Sequence, residues 1–398
     1  MTGRSSDERP PGPLSDLRVL ELGTLIAGPF AGRWFADFGA EVIKIEHPTG
    51  GDPLRRWGRV IQDGGDSLWH LVQSRGKQSV TADLHHPADQ ALVRQLSAES
   101  DILIENFRPG RLEEWNLGPT ALMEANPRLI VVRISGYGQT GPLRAQPGFG
   151  TIAEAAGGLR YITGEPDRSP TRVGLSLGDS LASMHALVGA LIALHERQAS
   201  GRGQVVDVAL TEALFSMLEG ILPEYGYFGE VRERTGSIAH NSAPTNTYRC
   251  RDGTLVCIAA SSTPLFRRLF RVIGRSDYAE DDQLSHNAAR VARADELDDM
   301  IASWTRKRTA DEVVSVLRGA QIPVSPINSI ADIVADQQFL AREMIVAVED
   351  PRLERPLLVP GVVPKLSRTP GHVPSLARPL GADNEEVRGR LAHVPARS

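Results

Sequence analysis

From Leu17 to Ser135 the chain alternates short β-rich runs with longer amphipathic stretches, and no other feature constrains the fold as much. The strand candidates are Leu17–Leu22, Glu41–Glu46, Ser79–Asp83, Ile102–Glu105 and Leu129–Ser135, with helical periodicity filling most of the gaps. Strands separated by helices pair through crossover connections, so the pattern predicts an α/β fold with a mainly parallel sheet covered on both faces. An apolar helical stretch, Leu181 to Gln198, follows Gly178-Asp179-Ser180 and ends at Ser200-Gly201-Arg202-Gly203. A β run at Gln204–Ala209 and a helix from Thr211 to about Gly220 continue this large domain, which is drawn over residues 14–224.

Beyond Tyr225 the texture changes. A hairpin at Thr247–Ala260, helical patterns at Pro264–Gly274 and Ala294–Arg306, and a capping box at Thr309–Glu312 predict a smaller α+β domain over 225–330. Residues 331–398 are Pro-rich, and Leu357–Pro364 reads as edge strand or extended connection. This C-terminal segment is expected to return to the large domain.

With 398 residues, 41% of them hydrophobic, the chain is long enough for more than one domain and a substantial core. Its 44 Lys plus Arg against 49 Asp plus Glu leave a net charge of -5, which gives no global attraction to nucleic acid or an anionic membrane. Neither is expected as a partner, and any anionic ligand must meet a local basic pocket. Met1 to Pro13 form a polar tail without an apolar h-region, and no apolar run approaches the roughly 18 residues of a membrane span. A cytoplasmic protein is expected. The only cysteines, Cys250 and Cys257, flank an Asp252-Gly253 turn. A two-residue turn pairs Cys250 with Leu255 and leaves Cys257 diagonal at about 7–8 Å, too far for a disulfide.

The first βα turn, Gly23-Thr-Leu-Ile-Ala-Gly28-Pro29-Phe30-Ala31-Gly32, has glycines that let backbone amides approach a phosphate. It is neither G-x-G-x-x-G nor a Walker A loop. Glu46 closes the second strand where dinucleotide folds place a ribose-binding acid, so a nucleotide-binding oxidoreductase stays open as an alternative. Arg55-Arg56, Arg75-Gly-Lys77 and Arg108-Pro-Gly-Arg111, with Trp57, Trp69 and Phe107 interleaved, suit either a solvated face or an adenine joined to phosphates. Asp179 reads either as the N-cap of the long helix or as a nucleophile kept ionised by the helix N-terminus. No His spacing suggests a metal site.

Six motifs in order carry a family resemblance over Leu14 to Leu380: Ala27-Gly-Pro29, Gly39-Ala-Glu-Val-Ile-Lys-Ile-Glu46, Glu105-Asn-Phe-Arg-Pro-Gly110, Gly136-Tyr-Gly-Gln-Thr-Gly-Pro142, Gly178-Asp-Ser180 and Gly201-Arg-Gly-Gln204. Together they resemble the class III CoA-transferases, the family of formyl-CoA and carnitine CoA-transferases, and are closest to its succinyl-CoA-dependent dicarboxylate members. The resemblance implies a Rossmann-like large domain and a homodimer interlocked like two rings, with segments around 221–240 and 325–345 wrapping the partner. It implies CoA transfer between carboxylic acids through an aspartyl-CoA intermediate on Asp179. It places Ile26, Ala27, His47, Ala82, Asp83, His85, Asn106, Phe107, Arg108 and Tyr137 against coenzyme A. The CoA thioester is then a substrate, and no permanently bound cofactor or metal is needed.

Two departures matter. The family supplies an Arg where this chain has Glu114, which leaves Arg108 or Arg111 to meet phosphate. The 2-methylacyl-CoA racemases of the same family carry Gly-His-Asp where this chain has Gly148-Phe149-Gly150, and Phe149 moves no proton. A racemase remains the alternative within the family. For a dicarboxylate's distal carboxylate, Arg172, His240 and Asn241 are the sequence candidates.

Overall fold

The structure, a computed structural model, describes residues 12–61 and 65–392. The expected tail lies outside the described residues apart from its last two positions. Six strands form the main sheet: β1 (Arg18–Glu21), β2 (Glu41–Glu46), β3 (Gln78–Thr81), β4 (Ile102–Glu105), β5 (Ile130–Ser135) and β6 (Val205–Ala209). Their order is β3-β2-β1-β4-β5-β6 and every pairing is parallel. The chain order reverses direction between β1 and β4, the switch point at which doubly wound sheets open a ligand crevice.

Alternation along each strand loads both faces. Val19, Ile102, Ile104 and Val132 point into one cluster with Ala31, Phe35, Ala182 and Ala186. Leu20, Leu103 and Val131 point into the other, with Leu92, Leu96 and Leu112. A parallel sheet buried on both faces needs such near-continuous apolar runs, which is why the strands were legible.

The helix Leu177–Ser200 buries Ala182, Ala186, Ala190 and Ala193, a stripe of small side chains that lets it lie close on the sheet. This 24-residue helix contains an 18-residue window of mean hydropathy 1.5, long and apolar enough to cross a membrane by length and composition, contrary to the expectation that no such run exists. Its alanine face is instead built into the core. It starts four residues earlier than periodicity suggested, because Leu177 and Gly178 are already helical.

The chain divides into two compact units: Met1–Arg160 with Val173–Phe228 and Leu340–Ser398, and Tyr161–Arg172 with Gly229–Phe339. The domain boundaries drawn from the sequence had not set Tyr161–Arg172 apart. In the second unit β7 (Thr245–Arg249), β8 (Leu255–Ala259) and β9 (Val324–Pro326) form an antiparallel sheet. Its core joins Tyr248, Val256 and Ile258 to Phe266, Phe270, Leu297 and Val313 from three helices. The Thr309–Glu312 capping box is present. The hairpin turn differs from expectation: Arg249 pairs with Leu255, and Cys250 N donates to Thr254 O, leaving a three-residue loop that ends on Gly253 at φ +86°. Both cysteines are free thiols, Cys250 buried. In the first unit β10 (Ile345–Val348) and β11 (Leu357–Pro360) form a two-stranded antiparallel ribbon.

Candidate active site

The turn after β1 stands at the switch point, and side chains from five other segments hold its backbone. Asn106, just past β4, accepts from Thr24 N at 2.8 Å and donates to Thr24 O at 2.9 Å. Asp52 accepts from Leu25 N, Lys44 donates to Gly23 O, Gln73 to Ile26 O, and Lys77 to Pro29 O. The bare Cα atoms of Gly23 and Gly28 face each other so closely that a Cβ at Gly23 would sit 2.8 Å from Gly28 Cα. Leu25 is drawn into the left-handed region at φ 62°. The turn delivers Ile26 and Ala27, both buried, to the start of the helix Ala27–Asp37.

The helix that carries Asp179 meets the same turn through Ser183. Asp179 is the third residue of the helix Leu177–Ser200, whose N-cap is Ser176, so the N-cap reading of Asp179 is corrected. A carboxylate in a first turn remains where the helix dipole favours the ionised form. One turn further on, Ser183 Oγ lies 2.7 Å from Asp179 O and 2.7 Å from Ala27 O, tying the candidate nucleophile to the Ile26–Ala27 turn.

On the outer side of that turn a pocket of about 300 Å³ opens beyond the carboxyl ends of β1 to β4. His47, Ala82, Asp83, His85 and Phe107 line it together with Thr24 and Trp115. Phe107 meets Trp115 edge-on at 5.0 Å and His85 meets Trp115 at 5.4 Å, which forms an aromatic wall suited to a base. Asp83 Oδ1 accepts from His85 N at 3.0 Å and lies 2.9 Å from the His85 ring, while His47 Nε2 lies 3.7 Å from Asp83 Oδ2. The His85 amide and ring hold the Asp83 carboxyl below its usual range. Among the described residues no group of His, Cys, Asp and Glu could hold a metal ion.

The structure gathers eight of the ten sequence candidates around the turn and this pocket. Arg108 is exposed and outside the lining, and Tyr137 is half-buried in the loop after β5, against Gly148. Arg111 is taken by Glu114, with Nη1 and Oε2 2.5 Å apart, so the Glu that replaces the family's Arg also occupies a neighbouring cation. Arg172, His240 and Asn241 are exposed in the second unit.

Two other expectations change. Glu46 is buried, and both its oxygens are engaged, by Arg55, Ser79 and Asp52 N, so it has no free oxygen for a ribose. Burial pushes its carboxyl up, but the Arg55 hydrogen bonds and Lys44 outweigh that and hold it at about 2. Arg55, Arg75 and Lys77 are not a basic rim either: all three are buried in ion pairs, with Glu46, Asp37 and Glu21. Sequence reasoning missed Lys44, Asp52, Trp115 and Ser183. Of these only Ser183 left a signal, lying four residues after Asp179 on the same helix face.

A doubly wound α/β domain with an aromatic pocket at its switch point and a carboxylate across the first turn is the architecture of a nucleotide-type ligand-binding enzyme. The model of CoA-transferase family III matches residues 14–384, and the chain belongs to that family. It is an enzyme of the CoA-transferase class. Succinyl-CoA–D-citramalate CoA-transferase of Chloroflexus aurantiacus is 48% identical, covering 96% of this chain and 94% of its own. The alpha subunit of succinyl-CoA–L-malate CoA-transferase from Chloroflexus aurantiacus is 42% identical over 96% of this chain and 90% of its own. Among solved structures, a CAIB/BAIF family protein from Brucella suis superposes with a TM-score of 0.85 at 32% identity, covering 96% of this chain and all of its own.

Proposed function

We propose that this enzyme moves CoA from succinyl-CoA to a short C4–C5 dicarboxylate, through a covalent aspartyl-CoA intermediate on Asp179. The observation that carries the reading is the placement of Asp179 in a helix first turn, fastened through Ser183 to the Ile26–Ala27 turn that leads to the aromatic pocket. The names of the similar proteins, which act on citramalate and malate with succinyl-CoA, favour the dicarboxylate.

In the proposed sequence the Asp179 carboxylate attacks the succinyl-CoA carbonyl, giving a mixed anhydride and CoA thiolate. The thiolate attacks the aspartyl carbonyl, releasing succinate and leaving aspartyl-CoA. The acceptor carboxylate displaces the thiolate, which then attacks the acceptor carbonyl, releasing acceptor-CoA and restoring Asp179. One thioester replaces another, so the exchange needs no metal, ATP or redox cofactor. The pocket takes the adenine end of CoA between Phe107, Trp115 and the His47–Asp83–His85 edge, and exposed Arg108 is the cation free to meet phosphate. Such an enzyme works where acyl-CoA pools are kept, in the cytoplasm.

A panel of acceptors offered with succinyl-CoA, read by mass spectrometry of the CoA products, tests the reading. Citramalate, malate, itaconate or glutarate should be among the best acceptors. A preference for formate, oxalate or carnitine over every C4–C5 dicarboxylate refutes it.

A further inference from the structure

We propose that Gly150 positions Asp179: its bare Cα is the wall that sets where the candidate nucleophile's carboxylate points. The inference rests on Asp179 being that nucleophile. Gly150 opens the short helix Gly150–Ala156, and a Cβ built on it would lie 2.0 Å from Asp179 Oδ2 and 2.9 Å from Asp179 Cγ. No backbone demand explains the glycine, because Gly150 is absent from the positive-φ residues and alanine is the better helix former. The space is needed by Asp179.

The neighbouring backbone is fixed, which leaves the side-chain rotamer as the variable. A Cβ at Gly178 would come within 3.2 Å of Gly150 O, so the two helix starts are in close contact. Ser183 links Asp179 O to Ala27 O one turn below. With the main chain held on both sides, a methyl group at position 150 leaves Asp179 only a different rotamer, and its carboxylate gives up the place it holds against the Gly150 Cα. A displacement of about 1 Å at a reacting atom costs on the order of 10²-fold in rate.

The same geometry bears on the racemase alternative. Phe149 is 62% exposed, and position 150 has no room beside Asp179 for a second acidic side chain.

The test compares wild type, Gly150→Ala, Asp179→Ala and the double variant. Gly150→Ala should lower kcat for CoA exchange by about 10²-fold, with KM for succinyl-CoA changed less than about twofold. Its melting temperature should stay at or above the wild-type value, because the clash is relieved by rotation of one side chain. If Gly150→Ala instead melts lower, the loss should vanish in the Asp179→Ala background, where no carboxylate meets the methyl group. Wild-type kcat in Gly150→Ala overturns the proposal, and so does an equal loss of melting temperature in both backgrounds. If the wild type itself moves no CoA, the proposed function fails, while the paired melting curves still report whether Gly150 sets the position of Asp179.

Discussion

Asp52 Oδ1 accepts the amide of Leu25 at 2.9 Å, while its Oδ2 lies 2.9 Å from the buried ammonium of Lys44. A β-strand lysine is thus shared between Glu21, 2.8 Å away, and the aspartate that bends the first βα turn. Burial opposes ionisation of Asp52, but Lys44 and the amides of Leu54 and Leu25 outweigh it and hold the carboxyl below its usual range. The left-handed conformation of Leu25 costs about 1–2 kcal/mol, which these contacts offset.

Asp52→Ala should therefore destabilise the protein by about 1–3 kcal/mol, the cost of leaving the Leu25 amide without its acceptor, while Lys44 keeps Glu21. Urea unfolding measures it. A loss below about 1 kcal/mol shows that Asp52 does not hold the turn.

Glu46 makes stability depend on pH in a defined window. Its folded carboxyl lies at about 2 against an ordinary value of 4.5. A depressed acid contributes its full stabilisation above its unfolded value and loses it as pH falls through the folded one. The contribution is about 3 kcal/mol near neutrality, fading between pH 4.5 and about 2. Melting curves of wild type and Glu46→Gln should converge as pH falls across that window, whereas curves that stay parallel exclude Glu46 as the titrating group.

How far the sequence was legible follows from the range of the interactions. Strands such as Ile102–Glu105 announce themselves because burial on both faces requires consecutive apolar residues. The Asp179 motif was visible because its glycine and its helix are local. The role of Asp52 was not, since it depends on meeting Leu25, 27 positions away, and the side chain of Lys44 on β2. Neither reading of Arg55 and Arg75, a solvated face or a phosphate site, anticipates their burial, for the same reason: a sequence shows the charge of a guanidinium but not the Glu46 or Asp37 facing it. The hairpin register slipped because the number of residues in a turn depends on the αL position of Gly253, not on the Asp-Gly pair alone.

We propose that the homodimer implied by the family resemblance forms through apolar side chains of the first unit. Val188 and Ile192 on the long helix are 54% and 63% exposed, and Tyr227 and Phe228 are 84% and 67% exposed. Val188 and Ile192 lie one turn apart on that helix and the Tyr227 and Phe228 rings touch, and such exposed apolar groups mark contact sites. Sedimentation at nanomolar concentration should give twice the 43.2 kDa chain mass, and a folded, active monomer would contradict the interlocked arrangement.

The central claim is that CoA passes through the Asp179 carboxyl group. The direct measurement is incubation of the enzyme with succinyl-CoA and neutral hydroxylamine, followed by mass mapping of peptides, with Asp179→Ala in parallel. The account predicts a hydroxamate on Asp179 and progressive loss of activity in the wild type, and in Asp179→Ala no modification and less than a few per cent of wild-type exchange despite an intact fold. Full exchange activity in Asp179→Ala, or a hydroxamate on another carboxylate that alone tracks the loss of activity, would contradict it.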